Sequence, residues 1–275
     1  NFELNNFIIG NGFINATAEL SETNVVVNTE LKNIPMRILP SFLPSSFKEA
    51  LGGGVINLSG TRAKPIITAN LDIGGIIVPN SPNKYTLKLS TNILNNQTNI
   101  TGEFLEETQK IANLSATLPS KFSLSPFEYN INEQEAFLAN LNTVKSFNLL
   151  SMLPITPGST LTGYVNADIN ASGSLSFPKL TGNMMISDGH YKYKQYGLLL
   201  KNINAQATAS GQQIIFKTIT ANDSFNNQLT ASGAASLDQD KTFNLIASLD
   251  KFNLINTPYL QGEITGKLVV KGNKN

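Results

Sequence analysis

The sequence predicts an all-β protein, an antiparallel-rich sheet built from repeats with one or two short helices. Three observations carry that prediction. A strand phrase ending on glycine occurs three times, as Gly54-Val-Ile-Asn-Leu-Ser-Gly60, Ala167-Asp-Ile-Asn-Ala-Ser-Gly173 and Gly266-Lys-Leu-Val-Val-Lys-Gly272. Apolar and polar residues alternate with period two along most of the chain, the mark of half-buried strands. Turn signals separate the strands at short intervals: Asn11-Gly12, Pro79-Asn80-Ser81-Pro82, Asp188-Gly189, Ser210-Gly211 and Asp238-Gln239-Asp240. Tight turns joining neighbouring strands give antiparallel meanders. A phrase recurring at a roughly fixed period signals stacked units, each handing its apolar face to the next.

Taken in order, the alternating apolar sets begin at Gly12/Ile14/Ala16/Ala18/Leu20, then Ile56/Leu58 in the first phrase and Ile67/Ala69/Leu71/Ile73. Next come Tyr85/Leu87/Leu89/Thr91/Ile93 and Ile100/Gly102/Phe104. The second phrase carries Val165/Ala167/Ile169/Ala171, followed by Leu180/Gly182/Met184/Ile186 and Ile203/Ala205/Ala207/Ala209. The last sets are Ile215/Ile219/Ala221, Leu229/Ala231/Ala235/Leu237 and Phe243/Leu245/Ala247/Leu249. Two stretches break the alternation. Ser41 to Leu51 holds Phe42, Leu43, Phe47 and Leu51. Asn132 to Leu150 holds Phe137, Leu138, Leu141, Val144 and Leu149 at three- and four-residue spacings, which predicts a short amphipathic helix. Either helix would cap an open end of the sheet. The expected organisation is the end of one β repeat with a short helix over 1–51 and a β repeat with a helical insertion near 132–150 over 52–150. A further repeat spans 151–258, and the start of the next covers 259–275.

Composition narrows the function. The net charge is +1 and charged residues make up 14%, against roughly 25% in typical soluble domains. A nucleic-acid groove needs clustered Lys/Arg among aromatics, and the nearest cluster is Tyr191-Lys192-Tyr193-Lys194, so no nucleic-acid partner is expected. Polar positions are filled by Asn, Thr and Ser, with 35 asparagines. There is no cysteine, hence no disulfide framework and no thiolate site. No apolar stretch approaches the roughly 20 residues that span a bilayer as a helix. The chain opens at Asn1 without Met and stops just after the third phrase, which reads as part of a longer protein with any signal or anchor outside it.

Catalytic chemistry is not expected. His190, the only histidine, reads as a polar residue at a hairpin end, and no G-x-S-x-G pattern accompanies it. One His without Cys excludes an ordinary zinc site. Asp238-Gln239-Asp240 lacks the glycine and terminal glutamate of a calcium loop. Glu106-Glu107 and Glu133/Glu135 read as solvated carboxylates. Gly52-Gly53-Gly54 lacks the Lys-Ser/Thr of a phosphate loop and marks a strand bend or bulge. The N-x-S/T triplets at Asn15, Asn96, Asn99, Asn113 and Asn170 are expected by chance at this Asn content. The reading is a non-enzyme with no metal and no cofactor.

Many strands present one apolar face, and few helices exist to cover it. Either the sheet folds on itself as a sandwich or barrel, or it curls and an apolar ligand fills the trough. Inward positions are often Ala, Gly or Ile, and Trp is absent. Small residues leave volume that close packing does not tolerate empty. Acyl chains would fill it. Both solutions stay open on these grounds.

From Leu161 to Leu237 the chain resembles the C-terminal region of the TamB family, the translocation-and-assembly module's inner-membrane subunit and a relative of the AsmA-like bridge proteins. The matching positions are Gly163, Gly173, Pro178, Gly182, Ile186, Asp188, Gly189, Tyr191, Gly197, Leu198 and Ile203. The likeness is weaker at 50–76, touches 260–272 and is absent over 80–160. It implies a long curled sheet, a β-taco, whose apolar groove conducts phospholipid between inner and outer membranes. It further implies an inner-membrane anchor outside this chain, a periplasmic location in a Gram-negative envelope, and an outer-membrane barrel partner, TamA. The groove is then expected on the apolar face at Ile56, Leu58, Ile67, Leu71, Ile73, Val165, Ala167, Ile169, Leu180, Met184, Ile186, Ile203, Ala205, Leu229, Leu245 and Leu249. The phrase-ending Gly60, Gly173 and Gly272 are expected to bend the sheet. Two alternatives are a ligand-free structural or adhesive β-sandwich, and a scaffold pairing its sheet edge with strands of outer-membrane proteins under assembly.

Overall fold

The structure, a computed structural model, describes residues 1–38, 45–79, 81–153, 155–238 and 241–273. Seventeen strands dominate them. These are β1 (Phe2–Ile9), β2 (Gly12–Leu20), β3 (Asn24–Pro35), β4 (Leu51–Thr61), β5 (Pro65–Ile77), β6 (Lys84–Leu94), β7 (Gln97–Glu106), β8 (Gln109–Leu124) and β9 (Phe127–Ile131). There follow β10 (Ala136–Thr143), β11 (Ser159–Ser174), β12 (Pro178–Tyr193), β13 (Leu198–Gly211), β14 (Gln213–Asn222), β15 (Gln228–Ser236), β16 (Phe243–Asn256) and β17 (Gln261–Gly272). The all-β, antiparallel prediction holds.

The chain divides into two compact units, Asn1–Val144 with Ser172–Ser176, and Lys145–Ala171 with Phe177–Asn275. In the first, β1 to β8 pair antiparallel in chain order. Strand β8 then divides its partners: residues 112–117 pair with β10, and 120–124 pair with β9. In the second unit β12 to β17 pair antiparallel, again in chain order.

Both units curl. A flat sheet would hold strands three places apart at about 14 Å, since neighbours lie about 4.8 Å apart. Yet β5 and β8 come within 8 Å between Cα atoms in the first unit, and so do β13 and β16 in the second. Part of the curl comes from bulges whose extra residue is left-handed. Asn6, Asn33, Asp188, Asn202 and Lys251 all have φ near +50° (49 to 53°), and each lies inside a register shift. An extra residue on one strand sharpens the local twist.

Packing is dense only in places. In the first unit Ile34, Ile76, Val78, Tyr85 and Ile111 are buried, together with Met36, Phe47 and Ala50 from the connection between β3 and β4. Met36 N–H donates to the Ala50 carbonyl at 2.9 Å, which folds that connection back. In the second unit Phe252, fully buried, packs with Ala247 and Leu249 against Leu200, Leu229, Ala231 and Leu254.

The helix expectations are corrected. Residues 136–143 form β10, with only a 3-10 turn at Leu150–Met152 beyond it. Leu141 faces Leu114 and Ala139 faces Ala116 across β8, while Leu138 is exposed at 64%. Eight residues carrying Asn140, Asn142 and Thr143 make a poor helix, and β8 offers a sheet edge that pairs their backbone instead. The other stretch has a 3-10 turn at Ser45–Phe47, and residues 41–44 lie outside the described residues. Asn80 and the pair at 239–240, within two predicted turns, also lie outside them.

Candidate functional site: the apolar inner face

Residues directly opposite in antiparallel register point to the same face, so register joins the alternating sets into rows across the strands. One row of the first unit reads Phe7, Ile14, Leu31, Gly54, Leu71, Leu89, Gly102, Leu114 and Leu141. Beside it runs Ala16, Thr29, Ile56, Ala69, Thr91, Ile100, Ala116 and Ala139. A third is Ala18, Val27, Leu58, Ile67, Ile93, Thr98 and Leu118. Ile73 belongs to a fourth, between Gly52 and Leu87. Register thus puts Ile56, Leu58, Ile67, Leu71 and Ile73 on one face, all half-buried, while Asn57, Ser59, Asn70 and Asp72 between them are exposed.

The second unit repeats the arrangement. Met184, Ala207, Phe216, Gly233, Leu245 and Val270 form one row. Ile186, Ala205, Ile219, Ala231, Ala247 and Leu268 form the next. Leu180 faces Gly211, Ile203 faces Gly189, and Leu229 faces Leu249. On β11, Val165 and Ala167 are buried and Ile169 is half-buried, alternating with exposed Tyr164, Asn166, Asp168 and Asn170. A bulge between Phe216 and Ile219 shifts the alternation by one. Ile214 and Phe216 therefore face inward, and Ile215, read from sequence as inward, is 40% exposed. The signal that would have found Phe216 is the apolar i to i+3 step from Phe216 to Ile219 across a bulge.

The three phrase-ending glycines occupy two kinds of place. Gly60 and Gly173 have φ of +101° and +91° near the ends of β4 and β11. At Gly272 an added Cβ would lie 2.3 Å from the Phe243 ring, so its bareness seats that aromatic. Four other glycines are tighter: Gly54, Gly182, Gly197 and Gly233. A Cβ at Gly182 or Gly233 would fall 1.9 or 2.1 Å from the carbonyl oxygen of Asp168 or Asn244, with φ of +129° and +157°.

The outer face is polar. Asp72 lies opposite Lys88, and Lys88 opposite Glu103. The Lys110 ammonium bonds Glu103 at 2.6 Å. That hydrogen bond, then the lysine's charge, holds the Glu103 carboxyl below its ordinary value. One inward polar pair is satisfied internally: Thr98 and Ser120, both buried, share a hydrogen bond at 2.7 Å.

The remaining polar candidates have structural partners. His190 is exposed, with Nδ1 3.1 Å from the Asp188 carbonyl. Glu106 accepts from the Tyr85 hydroxyl at 2.9 Å, and Glu107 accepts the Lys84 N–H at 2.8 Å. Among the described residues no group of three or more His, Cys, Asp or Glu could hold a metal ion, and no helix is long and apolar enough to cross a membrane.

Residues 217–275 match the family model described as the TamB C-terminal domain. The match supports the TamB membership read from the sequence, and it runs from within β14 to β17, after all of the quoted motif positions. No curated protein and no solved structure matches the chain.

Proposed function

We propose that this chain is a segment of a periplasmic bridge whose apolar groove conducts phospholipid between inner and outer membranes and supports outer-membrane biogenesis. The observation that carries the reading is the set of mostly apolar rows running from strand to strand on a curled face, left half-buried at Ile56, Leu58, Ile67, Leu71 and Ile73 in the first unit and at Ile169, Leu180, Met184, Ile186, Ile203, Leu229 and Leu245 in the second. Burying one methylene is worth about 0.8 kcal/mol. An acyl chain laid along such a row is therefore held without any specific polar contact, and it slides from one Ala, Ile or Leu position to the next at little cost. The groove residues are Ile56, Leu58, Ile67, Leu71 and Ile73 in the first unit. In the second they are Val165, Ala167, Ile169, Leu180, Met184, Ile186, Ile203, Ala205, Leu229, Leu245 and Leu249. The match to the TamB C-terminal domain supports a place in a translocation and assembly module. With it come the family's barrel partner TamA, a non-enzymatic role, and an inner-membrane anchor outside these residues.

A second reading, strand pairing with outer-membrane proteins during their assembly, is favoured by β17. Within its unit β17 is registered to β16 alone, and residues 263–271 are all exposed. A dry sandwich is disfavoured, because it would bury the rows that stay half-exposed.

Native mass spectrometry of the purified chain tests the proposal. Co-purifying phospholipid, displaced by competing detergent, is the expected result. A chain that purifies folded and lipid-free, and takes up none from vesicles, overturns it.

A further inference from the structure

At one end of the first unit the turns β4–β5 and β6–β7 meet the outgoing part of β8. Arg62 accepts the Leu124 N–H on its carbonyl at 2.7 Å, and Asn96 accepts the Ser120 N–H at 2.8 Å. These bonds draw β8 over the turns and leave a hollow of about 490 Å³, lined by Lys64, Lys121, Asn95, Asn96, Ile93 and Phe122 among others. That size lies in the range of small-molecule sites.

The lining has a definite chemistry. Lys64 and Lys121 are its charged residues, and none is acidic. Lys64 makes no ion pair among the described residues, and Lys121 reaches Glu128 at 2.8 Å with both side chains well exposed. Exposed pairs of that kind are weak, so the Lys121 ammonium is available to a stronger anion. Asn95 and Asn96 add amide donors. Ile93, on the wall, is also a member of the row Leu58, Ile67, Ile93 on the inner face. A cationic hollow opening onto an apolar row fits one ligand shape, an anion with an apolar tail.

We infer that this hollow is a headgroup station, where Lys64 and Lys121 hold the phosphate diester of a glycerophospholipid while its acyl chains lie along the Ile67–Ile93 row. The inference rests on the proposed lipid-conducting function and gives it a place where cargo pauses. Lysine serves here as a compact point charge for phosphate.

The test uses the whole chain and three soluble probes: dihexanoylphosphatidylglycerol below its micelle concentration, dihexanoylglycerol, and inorganic phosphate. Binding is read by phosphorus and proton NMR titration, in the parent protein and in Lys64→Gln/Lys121→Gln. Circular dichroism serves as the fold control, and Lys64→Gln alone, at an exposed turn, replaces the double variant if that is unstable. The phospholipid is expected to bind the parent and to bind the double variant about tenfold more weakly, the scale of losing a charge-assisted contact. Dihexanoylglycerol is expected to bind weakly and equally to both. Equal phospholipid binding to parent and variant overturns the headgroup station and leaves the groove standing. Inorganic phosphate binding as tightly as the phospholipid makes this a free-anion site and overturns the lipid assignment. Binding of neither lipid overturns both the station and the groove.

Discussion

Asp223 and Asn253 are joined by a 2.8 Å hydrogen bond from the Asn253 N–H to the buried Asp223 carboxylate, across thirty residues of sequence. The same carboxylate accepts the N–H groups of Phe225 and Asn227 at 2.8 and 2.9 Å and the Asn227 side-chain amide at 3.0 Å. Asp223 thus closes the β14–β15 turn and ties it to the bulged part of β16, next to Phe252. Removing it strands the buried Asn253 N–H, at about 1–3 kcal/mol, and leaves the part-buried Phe225 and Asn227 donors without their acceptor. Asp223→Ala is expected to lose roughly 3 kcal/mol or more in urea melts, and Asp223→Asn less.

The clamp also has a pH signature. Burial pushes the Asp223 carboxyl up, but the hydrogen bonds from Asn253, Asn227 and Phe225 outweigh it and hold the group below its ordinary value. A lowered folded value means the clamp's stability is fully present above the unfolded carboxylate value, near 3.9. It is lost as pH falls through the folded one. Acid unfolding of Asp223→Asn should show a shallower dependence below about pH 4 than the parent. Identical acid profiles would show that the carboxylate adds nothing.

Gly182 and Gly233 should be far less replaceable than Gly211. A Cβ at the first two collides with a carbonyl of the adjacent strand, whereas Gly211 has nothing within 4 Å. Gly233→Ala is expected to cost about 3 kcal/mol or more, because backbone must move and φ is unfavourable. Gly211→Ala should cost about 1 kcal/mol, from its positive φ alone. Thermal melts of the two variants make the comparison.

Tyr85 anchors the far end of the first unit. It is 2% exposed, stacks on Phe104 at 5.5 Å, and donates to Glu106 at 2.9 Å. Tyr85→Phe should lose about 1–2 kcal/mol, the hydroxyl's hydrogen bonds to Glu106 and Ser81. Tyr85→Ala should lose about 3–5 kcal/mol through the cavity it leaves. Urea midpoints with an unchanged slope would check both.

For the groove, Ile169→Asp, Ile186→Asp and Leu245→Asp are expected to abolish lipid photo-crosslinking at neighbouring inner positions, while Asn170→Asp leaves it intact. A carboxylate on an apolar wall draws in water or forces its own desolvation. Outer-membrane permeability should follow the same order. Comparable defects from inner and outer substitutions would sink the face assignment.

Much of the sheet was legible because alternation is direct geometry. Ile67, Ala69, Leu71 and Ile73 fall on one side whatever the strands around them do, and register confirms their rows. Bulges were not legible. Steps such as Leu31 to Ile34, Leu249 to Phe252 and Phe216 to Ile219 keep both apolar residues inward with two residues between. A three-residue spacing is also what a helix writes, which is why residues 132–150 read as helical. The polar residue inside the step was the usable clue: Asn33 and Asp188 are types that tolerate left-handed backbone, although Lys251 is not. The hollow at Lys64 and Lys121 was invisible because residues 57 apart meet only when the sheet curls.

Apart from β10 returning to β8, every registered strand in each unit takes as partner the strand made just before or after it. Within each unit, no other strand waits for a distant one. Such a chain gains order like a zipper, with each new hairpin docking onto a finished edge and contact order staying low however long the array grows. It can fold vectorially while being threaded out of a narrow exit. Whole hairpin pairs can likewise be gained or lost in evolution to set its length without disturbing the strands already laid down.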